Sequence, residues 1–126
     1  MNPVLIDTSA WIEALRRQGN ANIRERVRHL LAEGRACWNE LIIAELWNGA
    51  QGAAEKKMIH ALENDLLVFS INRDVWQLVY KLAENARAQG KTVPTTDVIV
   101  FACSRHYKTE LFHNDSHFEL LLNLHS

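Results

Sequence analysis

A chain of 126 residues suits one domain, residues 1–126, and is too short for two independent cores. Apolar residues make up 48% and charged residues 23%, a balance that argues against disorder and fibrous repeats. The formal net charge of −1 supplies no overall basic field for nucleic acid, so any such contact has to come from a local patch.

Val4-Leu5-Ile6 is a short apolar run ending at Asp7, and Trp11, Ile12 and Leu15 follow as an i, i+1, i+4 stripe. This predicts a buried strand, a tight junction and a helix. Asn20 or Asn22 can cap a second helix through Ile23, Val27, Leu30 and Leu31, with Gly34 closing it. Ala36-Cys37-Trp38 reads as a second strand, and Asn39 can cap a helix from Glu40 to Asn48. A helix over Ala53–Asn64 is expected to turn Met58, Ala61 and Leu62 inward, and Leu67-Val68-Phe69 reads as a third strand. Asn72 caps the longest amphipathic helix, with Trp76, Val79, Ala83 and Ala86 on its stripe and Gly90 at its end. Thr95 or Thr96 opens a last helix through Val98, Phe101 and Ala102. Glu110-Leu111-Phe112 is a fourth strand, and Leu121-Leu122-Asn123-Leu124 a weak fifth.

Short apolar strands alternating with helices predict an α/β fold, a mainly parallel sheet of four to five strands covered on both faces. In such sheets ligands bind beyond the carboxyl ends of the strands, where connections switch direction. Asp7 follows the first strand at once and Asp115 follows the fourth closely, so both point toward that crevice. The longest apolar run, Val98 to Cys103, is far too short to span a membrane. Met1-Asn2-Pro3 lacks a basic leader, which makes a cytoplasmic location the expectation. Cys37 and Cys103, far apart in the chain, read as reduced core residues.

Four acids carry the chemistry, and each has an ordinary alternative. Asp7 and Asp97 stand where helices begin and can serve as caps or dipole partners. Asp115, within Asn114-Asp115-Ser116, can be a turn residue. Glu45 sits mid-helix among Leu41, Ile42 and Leu46, where it either faces solvent on a narrow polar side or needs a cation or donors. Gly49, one turn on, either lets backbone or substrate approach Glu45 or simply ends the helix. If the four acids converge, two like charges about 5 Å apart repel by roughly 3 kcal/mol at an effective dielectric of about 20. Protons or metal ions must then neutralise them. A donor set of oxygens alone selects Mg²⁺, with Mn²⁺ as a substitute, and the main reaction class is hydrolysis of a phosphoester.

The segment Val4-Leu5-Ile6-Asp7-Thr8-Ser9-Ala10-Trp11-Ile12 resembles the opening of a PIN domain, in particular of VapC-type toxins from type II toxin–antitoxin systems. Glu45-Leu46-Trp47-Asn48-Gly49, Pro94-Thr95-Thr96-Asp97-Val98-Ile99 and Asn114-Asp115-Ser116-His117-Phe118 resemble the remaining motifs, in order across the chain. The resemblance implies a three-layer α/β/α sandwich, often homodimeric, that acts as a metal-dependent endoribonuclease toward RNA. It also implies inhibition by a small antitoxin of the VapB type. Carried over, Asp7, Glu45, Asp97 and Asp115 are the catalytic and metal-binding acids, and Thr8 or Ser9 is the hydroxyl that orients a carboxylate or a water. Asp7, Asp97 and Glu45 are expected to hold one Mg²⁺, with Asp115 placing it or a second ion. Water activated there would leave 5′-phosphate and 3′-hydroxyl ends. The sequence departs from the pattern at His113, where many relatives carry Thr or Ser. Either a hydroxyl still supports Asp115, or an imidazole contacts phosphate instead.

Candidate phosphate contacts are Arg16, Arg17, Arg87, Lys91, Arg105 and Lys108, each also readable as a solvated helix face. Arg24 and Arg28 could meet RNA or an acidic antitoxin segment, and Trp11 and Trp47 read as core or interface residues. His113, Asp115 and His117 suggest zinc by spacing but lack a further nitrogen or sulfur ligand nearby, so a zinc site is not expected. The alternative function is a non-catalytic PIN-like binding module, against which the four intact acids argue. A phosphoacceptor receiver domain is rejected, because only one acid follows the first strand and no lysine follows the last.

Overall fold

A computed structural model describes residues 2–125. Four parallel strands, β1 (Val4–Ile6), β2 (Ala36–Trp38), β3 (Leu67–Val68) and β4 (Glu110–Phe112), form one sheet in the order β3-β2-β1-β4. The two central strands, β1 and β2, are buried along their whole length, as expected where both faces of a parallel sheet are covered. In register, Val4 stands beside Ala36 and Glu110, and Leu5 beside Cys37 and Leu111.

Helices α1 (Thr8–Leu15), α2 (Ala21–Ala32), α3 (Glu40–Gly49) and α4 (Gly52–Asp65) connect β1 to β2 and β2 to β3. Helices α5 (Arg73–Ala88) and α6 (Thr95–Tyr107) lead back to β4, and α7 (His117–Leu122) follows it. Helix α1 packs on α2 and α3, and α3 on α4; α5 packs on α6, and α6 on α7. Because the path reverses after β3, right-handed crossovers divide these groups between the two faces of the sheet. This is the three-layer α/β/α sandwich.

Capping fixes where the helices start. Asn20, Asn39 and Asn72 each accept a hydrogen bond from the backbone N–H three residues on, at 3.0 Å. Gly34 and Gly90, at φ +68° and +71°, follow α2 and α5 in a conformation that favours glycine. Cys37 and Cys103 are free and buried, and burial pushes the Cys37 thiol up to about 12.

Three expectations need correction. Leu121–Leu124 form no fifth strand: Phe118 and Leu121, one helical turn apart, are buried together, and Leu121 and Leu122 end α7. On α4 the buried residue is Ile59, with Leu62 half-buried, whereas Met58 and Ala61 are exposed. On α5 the stripe runs through Val75, Val79 and Ala86, which leaves Trp76 and Ala83 exposed. Both errors are slips of the apolar face around the helix. Trp11 lies in the core against Trp38, ring centroids 6.0 Å apart. Trp47 is 38% exposed and so is not a core residue.

Candidate functional site

Strand β1 sends its chain toward β2 on one side, while β4 enters on its other side. The switch point of the sheet therefore lies at the carboxyl ends of β1 and β4. Asp7 occupies the end of β1, 4% exposed, and its N–H donates to the Phe112 carbonyl at 2.9 Å. As the N-cap of α1 it accepts from the Ser9 N–H at 3.0 Å and from the Ser9 hydroxyl at 2.6 Å, both on Oδ2. The Ser9 oxygen in turn accepts from the Asn114 N–H at 2.9 Å, which ties the turn after β1 to the turn after β4. The neighbouring Thr8 hydroxyl donates to Glu45 Oε1 at 2.7 Å, bringing α3 to the same point. Glu45 is half-buried on the inner edge of α3, not on its solvent side.

Asp97 lies in the first turn of α6 and is 8% exposed. Asp115, in the turn after β4, accepts from the His117 N–H at 2.9 Å on Oδ1. The imidazole of His117 stands between these two acids, Nδ1 lying 2.8 Å from Asp115 Oδ1 and 3.3 Å from Asp97 Oδ2. Despite these distances, both Nδ1 and Asp97 Oδ2 are buried without a partner in hydrogen-bonding geometry. Ligand atoms of Asp97, Asp115 and His117 all fall within 4.8 Å of one another, a separation that one divalent ion can bridge.

The electrostatics tie all four acids together. Burial, with the charges of Asp115 and Asp7 added, pushes the Asp97 carboxyl up to about 7, against a smaller opposing effect of His117. Burial and the charge of Asp7 also raise Glu45, although the Thr8 hydroxyl works the other way. At Asp115 burial acts upward too, but the His117 N–H and the nearby imidazole outweigh it and hold the carboxyl low. Asp7 thus acts on both Glu45 and Asp97. Like charges gathered this closely raise the cost of ionisation, which a bound cation offsets.

The four acids singled out in the sequence therefore lie near enough to act on one another's charges, Asp7 on Glu45 and Asp97, and Asp115 on Asp97. Two of them, Asp97 and Asp115, form one donor set with a histidine, whereas a set of oxygens alone was expected. The His113-x-Asp115-x-His117 spacing was the available signal, but its missing partner was Asp97, which no local spacing could supply. His113 takes a supporting place: Nδ1 accepts from the Asp115 N–H at 3.2 Å, and its ring lies 4.6 Å from that of Phe118. Among the basic candidates, Arg24 donates to the carbonyls of Arg16 and Arg17 at the end of α1, a structural bond in place of a free binding group. Arg28 pairs with Glu25 on an exposed helix face at 3.4 Å. Arg105 stacks over Phe101 at 4.8 Å, whereas Arg87 and Lys91 line a cleft of about 400 Å³ with Thr95, at the start of the helix that carries Asp97.

Residues 4–121 match the PIN domain family model. The chain belongs to the PIN domain family. Among curated proteins this PIN chain is similar to Ribonuclease VapC11 of Mycobacterium tuberculosis and to VapC ribonuclease Mb1587 of Mycobacterium bovis. Each is 28% identical over 125 residues, with 96% of this chain and 92% of the relative covered. Its fold is similar to that of VapBC2 from Rickettsia felis bound to a promoter DNA fragment, with a TM-score of 0.78 and 12% identity, covering 96% of this chain and 94% of the other. It is also similar to FitAcB from Neisseria gonorrhoeae, with a TM-score of 0.75 and 20% identity, covering 94% and 92%. Among the described residues no helix of this PIN chain is long and apolar enough to cross a membrane.

Proposed function

We propose that the chain is a divalent-metal-dependent endoribonuclease of the VapC toxin type, with Asp7, Glu45, Asp97 and Asp115 as its metal-binding and catalytic acids. The observation that carries this reading is the buried, partnerless Asp97 Oδ2, where the charges of Asp115 and Asp7 raise the cost of a further negative charge. The donor set fits a hard or borderline divalent ion, Mg²⁺ or Mn²⁺. Such an ion, when bound, activates water near neutral pH and offsets charge on the attacked phosphate and the leaving oxygen. The chain's own residues prepare that chemistry. Ser9 fixes the Asp7 carboxylate and Thr8 fixes Glu45, so neither has to reorganise when the site is filled. Asp97 and Asp115, whose ligand atoms lie within 4.8 Å of each other, would supply further ligands. Arg87 and Lys91 supply a local basic patch for the RNA backbone, which the net charge of −1 does not. The VapBC2 neighbour further supports a small cognate antitoxin of the VapB type as partner; homodimer formation and a cytoplasmic place of action are part of the same proposal.

The test is to incubate purified protein with cellular RNA in Mg²⁺, in Mn²⁺ and in chelator, and to map the product ends. Cleavage is expected only with the ions, with 5′-phosphate and 3′-hydroxyl ends, and Asp7→Asn is expected to lose it. Cleavage that persists in chelator or in Asp7→Asn, or that leaves 2′,3′-cyclic phosphates, overturns the mechanism.

A further inference from the structure

We propose that His117 is a metal ligand: its Nδ1 joins Asp97 and Asp115 as the third donor to one ion, giving the site a nitrogen that favours Mn²⁺ over Mg²⁺. This rests on the metal-dependent reading above and extends it to a residue outside the four acids.

Three observations carry it. Adjacent donors at about 2.1 Å around an octahedral ion lie about 3 Å apart. The two edges from Nδ1, 2.8 Å to Asp115 Oδ1 and 3.3 Å to Asp97 Oδ2, bracket that value. Next, Nδ1 and Asp97 Oδ2 lie 3.3 Å apart on separate elements, and both are buried without a partner in hydrogen-bonding geometry. Finally, the Asp115 carboxylate is already oriented by the His117 backbone N–H, and the His113 ring accepts from the Asp115 backbone N–H. An imidazole whose only task was to steer Asp115 would duplicate bonds that exist. Ion preference follows from donor chemistry. Mg²⁺ takes oxygen and keeps its waters, whereas imidazole nitrogen suits first-row transition ions.

The probe is Mn²⁺ added to the full-length protein, read by electron paramagnetic resonance. Free Mn²⁺ gives binding stoichiometry and affinity, and electron spin-echo modulation reports nitrogen bound to the ion. The expected result is one tightly bound Mn²⁺ per chain with modulation from ¹⁴N that changes when histidine alone is labelled with ¹⁵N. Folded His117→Gln is expected to lose the modulation and to bind Mn²⁺ about tenfold more weakly, with a smaller change for Mg²⁺. If that variant does not fold, labelled His113→Gln decides the matter, since modulation that survives it does not come from the other imidazole beside Asp115. Mn²⁺ bound in a manner that Asp97→Asn abolishes, yet without a histidine nitrogen on it, overturns the role of His117 and leaves the metal site standing. No bound Mn²⁺ at all overturns both.

Discussion

At Asp7 and Glu45 each carboxylate is met by a hydroxyl from the first turn of α1, whereas Asp97 and Asp115 face each other across an imidazole in bonding geometry with neither. Both hydroxyls of the first pair come from adjacent residues, Thr8 and Ser9, and each carboxylate is met without any ligand. The second is assembled from α6 and the segment after β4, and leaves two buried polar atoms unmatched. A charge held by donors stabilises the fold, while a buried charge without one destabilises it until a cation arrives. The cleft therefore divides its work, with one side preorganised and the other held ready for an ion.

Neutralising one acid on each side sharpens this contrast most. Asp7→Asn and Asp97→Asn are both expected to reduce RNA cleavage by about 10²–10³-fold, because each removes a ligand charge. Their effects on the metal-free fold should have opposite signs. Asp7→Asn gives up the charge in its bonds with Ser9 and is expected to lose about 1 kcal/mol, whereas Asp97→Asn relieves repulsion and is expected to gain about 1 kcal/mol. Chemical denaturation in chelator measures both. Equal losses in the two variants would break the comparison.

The next effect is one of pH. Asp97 is raised in the folded state to about 7, so between its ordinary range near 4 and that value the native chain holds a proton that the unfolded chain has released. Stability must then fall as pH rises through this window, and the upward shift of Glu45 acts in the same direction near its lower end. The depressed Asp115 opposes this only below that range, where its stabilising effect is lost as pH falls. The fall expected in chelator is about 1–2 kcal/mol, after allowing for solvent at the mouth of the cleft. Saturating Mn²⁺ should flatten or reverse it, and urea unfolding at pH 4.5 to pH 7.5 is the measurement.

The same division explains what the sequence disclosed. Strand β1, the cap at Asp7 and the placement of Asp115 beyond β4 were legible because parallel strands and their ends follow from short apolar runs and polar stops. Glu45 was legible as an acid in the wrong surroundings. The helix faces were less so: on α4 and α5 the apolar stripe slips by a residue, because Met58 and Trp76 are as hydrophobic as the Ile59 and Val75 that are actually buried. The run Leu121–Leu124 looks like a strand until the burial of Phe118 sets a helical period. His117 was not legible as part of the cluster, since its nearness to Asp97 comes from the packing of α7 against α6.

Smaller changes probe the preorganised side alone. Ser9→Ala removes the bond to Asp7 and the tie to Asn114, and is expected to cost about 1–2 kcal/mol in stability. Thr8→Val breaks one bond to a half-buried Glu45, with an expected cost of about 0.5–1 kcal/mol. Both should lower cleavage by misplacing a carboxylate, about tenfold by the usual cost of a disturbed supporting residue. Thermal unfolding with parallel cleavage assays checks this. A loss of stability with full activity would mean that the hydroxyls serve the fold only.

Gly49 separates crowding by the protein from crowding by substrate beside that side of the cleft. A methyl group placed there meets no protein atom within 4 Å, so the glycine is not required for close approach of backbone. Gly49→Ala is expected to raise stability by about 0.5 kcal/mol or less, as alanine restricts the unfolded chain more than glycine does. Affinity for Mn²⁺ and cleavage of RNA should both be unchanged if the RNA passes elsewhere, for example over Arg87 and Lys91. A fall in cleavage with metal affinity intact would instead place the RNA across the end of α3, directly beside Glu45. Because the fold and the ion are insensitive to this methyl group, the measurement reads the path of the substrate and nothing else.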